Sequence, residues 1–220
     1  MSTVIIKAKA ILFDMDGTLV NTVACVETYW RGMAAKYNVD AEKLLHNVHG
    51  HPTYDVLCKW FPESMHTREH AEKAERDLMN DAEGVFAVPG VPELLSKLDP
   101  KKWTIVTAAT QALALTRLQQ VNLPIPETLV SAKDAHAGKP NPDCYQMGAK
   151  RLGVVPKDTV VFEDAINGVK AGCAAGATVV GVLTSTTEDK LRQSGAQHIV
   201  SDFSNVRVED KGDYVEITIG

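Results

Sequence analysis

The feature that most constrains this chain is a series of short apolar runs that stop at polar or acidic residues. Ala8 to Phe13 ends at Asp14, Trp103 to Val106 ends at Thr107, and Thr159 to Phe162 ends at Glu163-Asp164. Thr178 to Val182 has the same build, and Thr128 to Val130 is a shorter version of it. Each run is too short for a helix, so it reads as a strand buried on both faces. Helical patterns lie between them, over about Pro89 to Leu98, Gln111 to Gln120, Pro142 to Leu152, Asn167 to Ala175 and Glu188 to Ser194. Strands alternating with helices predict an α/β fold, a Rossmann-like doubly wound parallel sheet with helices on both faces. Sheets of this kind bind ligands at the carboxyl ends of their strands.

One segment breaks the alternation. From about Asn21 to Gly84 there is no buried strand pattern, only helical stretches such as Val23 to Lys36 and Arg68 to Ala82. The second of these carries Glu69, Glu72, Lys73, Glu75, Arg76 and Asp77, and reads as a solvated outer helix. The expected division is a core domain made of residues 1–20 and 85–220, with an inserted α-helical domain at 21–84. Its hinges fall near Val20 to Thr22 and Glu83 to Pro89. Val206 to Ile219 alternates around Asp210-Lys211-Gly212-Asp213 and predicts a terminal β-hairpin.

Composition narrows the partners. A net charge of -5 with no basic block argues against nucleic acid. No apolar stretch reaches the ~20 residues that cross a bilayer, so no membrane partner is expected. The start, Met1 to Lys7, lacks the layout of a signal peptide, which makes the cytoplasm the expected location. Cys25, Cys58, Cys144 and Cys173 are widely spaced and form no CxxC pair. They read as small buried hydrophobes rather than disulfide partners.

The acidic strand end Phe13-Asp14-Met15-Asp16-Gly17-Thr18 carries the first chemistry. Two aspartates so close repel unless a cation offsets them. Taken alone, the run also reads as an Asp-Gly turn. Lys139 alone also reads as a solvated loop lysine, Thr107 as a turn residue, and Glu163-Asp164 as an acid pair favoured by a helix dipole. The order in which they occur is more specific than any one of them.

That order resembles the haloacid dehalogenase-like hydrolase superfamily. The family's first motif, a strand ending in DxDG(T/V), matches FDMDGTLVNT. The second, a strand ending in Thr or Ser, matches Ile105-Val106-Thr107. The third, a lysine ahead of proline, matches Gly138-Lys139-Pro140-Asn141-Pro142. The fourth, an acidic pair after a strand, matches Val160-Val161-Phe162-Glu163-Asp164 with Ala165-Ile166-Asn167-Gly168 behind it.

The resemblance implies a set of roles. Asp14 is the nucleophile that forms an aspartyl-phosphate. Asp16 is the acid and base for the leaving oxygen and the water. Mg2+ is held by Asp14, the backbone carbonyl of Asp16, Asp164 and Glu163. Thr107, Ala108, nearby backbone N–H groups and Lys139 hold the phosphate, and Asn167 contacts substrate. Relatives often read Thr-Ser-Gly-Ser after the second strand, whereas this chain reads Thr107-Ala108-Ala109-Thr110.

In this superfamily an insertion between the first two motifs is a cap, so residues 21–84 become an α-helical cap domain that closes over the site. His46-Asn47-Val48-His49-Gly50-His51-Pro52-Thr53 falls where the resemblance puts a substrate-specificity loop. His49 and His51 read as donors to substrate hydroxyls, or else as surface turn residues. His46 reads as structural. A metal site built from the three histidines lacks an acidic partner in the sequence. The branch resembled is that of sugar-phosphate and glycerol-phosphate phosphatases, which implies a small phosphorylated sugar or polyol as substrate. A monomer is the expected state. A β-phosphoglucomutase-like mutase shares the four motifs, but its cap histidine position is Val26 here and no arginine stands near His51 to Thr53. Dehalogenases lack the second aspartate, which here is Asp16. A catalytically silent phosphosugar-binding protein would not need Asp14, Asp16, Lys139 and Asp164 together.

Overall fold

Alternation of buried strand and amphipathic helix is what the chain builds. The structure, a computed structural model, describes residues 3–45 and 48–220. In chain order come strands β1 (Val4–Ala8), β2 (Ala10–Phe13) and β3 (Val20–Asn21). Four helices follow: α1 (Val23–Tyr37), α2 (Ala41–Leu45), α3 (Thr53–Trp60) and α4 (Arg68–Asn80). Then come β4 (Phe86–Ala87), α5 (Val91–Ser96), β5 (Trp103–Val106), α6 (Gln111–Gln120), β6 (Leu129–Val130) and α7 (Asp143–Arg151). The last part holds β7 (Thr159–Glu163), α8 (Ile166–Ala175), β8 (Thr178–Val182), α9 (Glu188–Gln193), β9 (His198–Val200), β10 (Val206–Asp210) and β11 (Val215–Ile219).

The apolar run 8–13 is not one strand. It breaks at Lys9, whose backbone N–H donates to the Asp158 carbonyl at 2.7 Å and whose ammonium pairs with the Asp158 carboxylate at 2.8 Å. Only β2 enters the main sheet. β1 pairs antiparallel with β11, which pairs with β10, so the expected terminal hairpin gains a third strand. Apolar periodicity alone could not reveal a break caused by one lysine anchored to a distant turn.

The main sheet is parallel throughout, in the order β6-β5-β2-β7-β8-β9. The edge strand β9 has only one buried residue, Val200, and so left no apolar run to read. Side chains of β2 alternate between the two faces. Ile11 and Phe13 join one core cluster, and Leu12 joins the other. Phe13 stacks on Phe162 at 5.4 Å, and Phe162 meets Phe203 at 5.0 Å. Burying each such ring contributes about 1.5–3 kcal/mol, and this packing sits one residue behind Asp14. The chain leaves β2 toward β5 and leaves β7 toward β8, in opposite directions. That reversal opens a crevice at the carboxyl ends of β2 and β7.

The helices between β3 and β4 bury a core of their own, including Trp30, Leu44, Leu57, Phe61 and Met65. The strands at the two ends of this segment pair antiparallel, Val20 with Ala87 and Asn21 with Phe86. Helix α4 is solvated on one side only. Glu69, Glu72, Lys73, Arg76 and Asp77 are exposed, but Ala71, Ala74, Glu75 and Leu78 are buried. Their three-to-four spacing makes an inward stripe that the charge content hid. Glu75 accepts a hydrogen bond from the Thr110 hydroxyl at the start of α6. All four cysteines are free, with Cys25 and Cys144 buried and the other two half-buried. Among the described residues no helix is long and apolar enough to cross a membrane.

Candidate active site

Asp14 follows β2 directly, and its backbone N–H donates to the Phe162 carbonyl of β7 at 3.0 Å. The chain then turns tightly through Gly17, which has a φ of 87°. A Cβ on Gly17 would lie 2.1 Å from Asp164 Oδ2, so both the backbone and the space require glycine. Asp14 is 5% exposed, while Glu163 and Asp164 are fully buried at the end of β7.

Lys139 arrives from the segment before α7. Its ammonium donates to Asp14 Oδ1 at 2.5 Å, to Glu163 Oε1 at 2.6 Å and to the Val106 carbonyl at 3.3 Å. Glu163 is held further by the Tyr145 hydroxyl at 3.0 Å and the Ala165 N–H at 2.8 Å. Both of its oxygens therefore have protein partners. Asp164 differs. Thr18 donates to its Oδ1 at 3.1 Å, but its Oδ2 is buried with no hydrogen-bond partner.

The charges do not balance. Three buried carboxylates face one ammonium. Burial opposes the charge on Lys139, but Asp14 and Glu163 outweigh it and hold the ammonium protonated far above its ordinary range. Burial, with Glu163 and Asp164 beside it, pushes the Asp14 carboxyl up against the pull of Lys139. Asp164 is pushed up to about 7 by burial and then by Glu163. A divalent cation relieves crowding of this kind. Ligand oxygens of Asp14, Glu163 and Asp164 lie within 4.8 Å of one another. An all-oxygen set with an orphaned, buried carboxylate oxygen fits a hard divalent cation.

Asp16 stands apart from this cluster. Thr22 donates to its Oδ1 at 2.9 Å. Burial raises its pKa, opposed by Thr22, Arg117, Lys139 and His49. The backbone N–H of Thr107 donates to the Val130 carbonyl at 2.9 Å, and its Oγ1 accepts from the Ala109 N–H at 3.0 Å. A cavity of about 70 Å3 is lined by Asp14, Asp16, Thr107, Ala108, His49 and His51. Val26 lines it too, and offers only an apolar wall. His49 and His51 also line a larger cavity of about 420 Å3, where they meet Asn167 and Glu27. The ring Nε2 of His51 is 3.0 Å from Asn167 Nδ2, and that of His49 is 3.7 Å from Glu27 Oε1.

The residues expected from sequence thus converge: Asp14, Asp16, Thr107 and Ala108 with His49 and His51 at one cavity, and Lys139, Glu163 and Asp164 against Asp14. Asn167 joins through His51. His46 lies outside the described residues. The acidic neighbour missing from the histidine reading is Glu27, although His51 turns to Asn167 instead. Sequence reasoning missed Thr18, Thr22, Tyr145 and Ser185. Ser185 donates to the Asp164 carbonyl at 3.0 Å from just beyond β8. The strand-end rule applied to β8 would have found it. Glu27, inside a helix, had no such signal.

A model of the haloacid dehalogenase-like hydrolase family matches residues 8–176. The chain is 35% identical over 191 residues to hexitol phosphatase A of Escherichia coli K12, covering 85% of this chain and 88% of that one. It is 33% identical over 215 residues to glycerol-1-phosphate phosphohydrolase 1 of Saccharomyces cerevisiae, covering 92% and 86%. Among solved structures, a hydrolase from Pseudomonas syringae superposes with a TM-score of 0.74 at 28% identity, covering 89% and 94%.

Proposed function

The chain belongs to the haloacid dehalogenase-like hydrolase family, and on that premise we propose that it is a phosphatase of small phosphorylated sugars or polyols. One observation carries the reading: a buried lysine 2.5 Å from the Asp14 carboxylate, with an unpartnered Asp164 oxygen beside it. That arrangement suits the meeting of two anions, a carboxylate nucleophile and a phosphate.

Asp14 attacks phosphorus in line. A P–O bond to its carboxylate forms as the bond to the leaving oxygen breaks, and Asp16 gives that oxygen a proton. Burial favours the protonated form of Asp16, which suits a general acid near neutral pH. Asp16 then takes a proton from water, whose oxygen attacks the aspartyl-phosphate and frees Asp14 and inorganic phosphate. Lys139 neutralises charge on Asp14 and the phosphate. The Thr107 hydroxyl, oriented by the Ala109 N–H, donates to a phosphate oxygen. Asp14, Asp164 and the Asp16 carbonyl would hold Mg2+, with Glu163 in support. The ion supplies charge neutralisation at the phosphate oxygens. Residues 21–84 act as a cap that excludes water and brings His49, His51 and Asn167 to the leaving group. The apolar Val26 gives no base for an acceptor sugar hydroxyl, which favours transfer to water.

The relatives' names support the substrate class, a hexitol phosphate in one and glycerol 1-phosphate in the other. The test is phosphate release from a panel of sugar and polyol phosphates, with and without Mg2+. Asp14→Asn should lose at least ~10^3-fold in kcat. Activity that persists in Asp14→Asn would remove the nucleophile assignment.

A further inference from the structure

Among the described residues, His49 Nε2, His51 Nδ1, Trp60 Nε1, Arg117 Nε and Asp164 Oδ2 are buried polar atoms without a hydrogen-bond partner. A buried donor or acceptor left bare costs about 1–3 kcal/mol, so such atoms point to something that completes them. The Asp164 oxygen belongs to the cation site described above. His49 Nε2 does not. It stands at the junction of the two cavities, 3.7 Å from Glu27 Oε1. That is ion-pair distance but too long for a direct hydrogen bond.

Glu27 stands in a chain of ion pairs along the cavity wall. Arg31, one turn along α1, sits 3.9 Å from its other oxygen, Oε2. Arg31 is itself anchored at 2.6 Å by Glu42 of α2. The loop between α2 and α3 brings His49 to face Oε1 across the gap. The cavity wall therefore presents an acceptor and a buried ring nitrogen 3.7 Å apart. The neutral ring with its proton on Nε2 offers a donor.

We propose that Glu27 and His49 form a clamp that reads a hydroxyl of the leaving group, with the hydroxyl donating to Glu27 Oε1 and accepting from His49 Nε2–H. The clamp rests on the phosphatase reading above and narrows its substrates to phosphate esters whose leaving group carries a further hydroxyl. An apolar leaving group leaves both atoms bare. A hydroxyl satisfies both, because it is donor and acceptor at once. Glu27 thereby joins the site as a specificity residue that no sequence motif marks.

The test compares substrates matched in length. Glycerol 1-phosphate is set against n-propyl phosphate, and a hexitol 6-phosphate against n-hexyl phosphate, with Mg2+ present. The readout is the ratio of kcat/KM within each pair, for wild type, Glu27→Leu, Glu27→Gln and His49→Gln. A hydrogen bond to a charged group is worth about 1.5–3 kcal/mol, so wild type should favour the hydroxylated member of at least one pair by about 10- to 100-fold. Glu27→Leu and His49→Gln should bring that ratio within about threefold of one, mainly through KM, and Glu27→Gln should keep part of it. Thermal unfolding of each variant confirms folding. A wild-type preference that survives in both Glu27→Leu and His49→Gln overturns the clamp. If wild type releases no phosphate from any member, the hydrolytic reading falls. The clamp is then judged by calorimetric binding of the same pairs to Asp14→Asn, with and without Glu27→Leu, against the same two outcomes.

Discussion

The helical segment meets the sheet core along two sides that treat their buried polar groups in opposite ways. Where the segment re-enters the core, the polar groups are paired apart from Arg117 Nε. Arg117 of α6, 1% exposed, donates through Nη1 to the Asp81 carbonyl at 2.7 Å and to Gln120 Oε1 at 2.9 Å. Its Nη2 reaches Cys25 Sγ at 3.3 Å, and Gln120 Nε2 donates to the Met79 carbonyl at 2.9 Å. Where the segment faces the strand ends, His49 Nε2, His51 Nδ1 and Asp164 Oδ2 are bare. The same interface spends polar groups on cohesion at one side and holds them ready for a ligand at the other. The other bare atoms among the described residues, Arg117 Nε and Trp60 Nε1, line neither of the two cavities.

The largest expected effect breaks the reacting side. Lys139→Ala leaves Asp14 and Glu163 buried without their cation. Removing one partner of a buried pair costs about 3–5 kcal/mol, and loss of charge neutralisation should lower kcat at least ~10^3-fold. Chemical unfolding without metal reads the first and phosphate release the second. A variant that keeps a tenth of wild-type activity contradicts the role given to Lys139.

The next prediction separates the two sides. Arg117→Met strips donors from the Asp81 carbonyl and from Gln120, so it should cost about 2–4 kcal/mol of unfolding free energy. His51→Phe removes the orphaned Nδ1 together with the Nε2 contact to Asn167, two effects of opposite sign, so its unfolding free energy should change by under about 1 kcal/mol while KM rises about tenfold. Unfolding curves and Michaelis constants on both variants decide the matter. If Arg117→Met were the mild change and His51→Phe the severe one, the division between cohesion and readiness would be reversed.

The core was more legible in sequence than the helical segment, and the reason is physical. β5, β8 and α6 fall at the boundaries expected, because a strand buried on both faces leaves an unbroken apolar run. Asp14, Thr107, Lys139 and Asp164 could be found because strand ends fix chemistry to a countable position. Lys9 and β9 were illegible, since one depends on a partner 149 positions away at Asp158 and the other buries a single side chain. Glu75 and Glu27 look like any other acids on charged helices. Which face of α4 turns inward, and which turn of α1 meets His49, is set by tertiary docking.

Glu75 sharpens the comparison, because it is a buried acid that lies between the two sides, held by Thr110 and Thr53. Burial raises its pKa, against the hydrogen bonds it accepts from Thr110 and Thr53. A carboxyl raised in the folded state binds protons more tightly there than in the unfolded chain. Its contribution is therefore best below the ordinary value of 4.5 and falls as pH rises through the native value. Glu75→Gln keeps an acceptor for Thr110 and removes the charge. At neutral pH it should be as stable as wild type or more stable by about 1 kcal/mol, and the gain should vanish as pH falls toward 4.5. Unfolding midpoints across that range test the sign. A Glu75→Gln protein that is much less stable at neutral pH would mean that the charge itself holds the helical segment to the core.

The smallest effect concerns a carboxylate outside both sides. Asp134 accepts from the Ser131 hydroxyl at 2.6 Å, the Ser131 N–H at 2.8 Å and Arg151 Nη2 at 2.7 Å. Burial pushes its pKa up, but these three donors outweigh it and hold it at about 2 against an ordinary 3.8. The sign is opposite to that of Glu75. The unfolded chain binds the proton more readily, so the stabilisation is fully present above about 3.8 and is lost as pH falls toward about 2. The pair is open to solvent, and such pairs contribute about 0.2–1 kcal/mol. Asp134→Asn should therefore lower the urea midpoint slightly at neutral pH and converge on wild type in acid. Its phosphatase activity should not change, since Asp134 touches neither cavity lined by His49 and His51. A larger loss than that of Arg117→Met would place the protein's cohesion at its surface pairs instead of at the buried re-entry side.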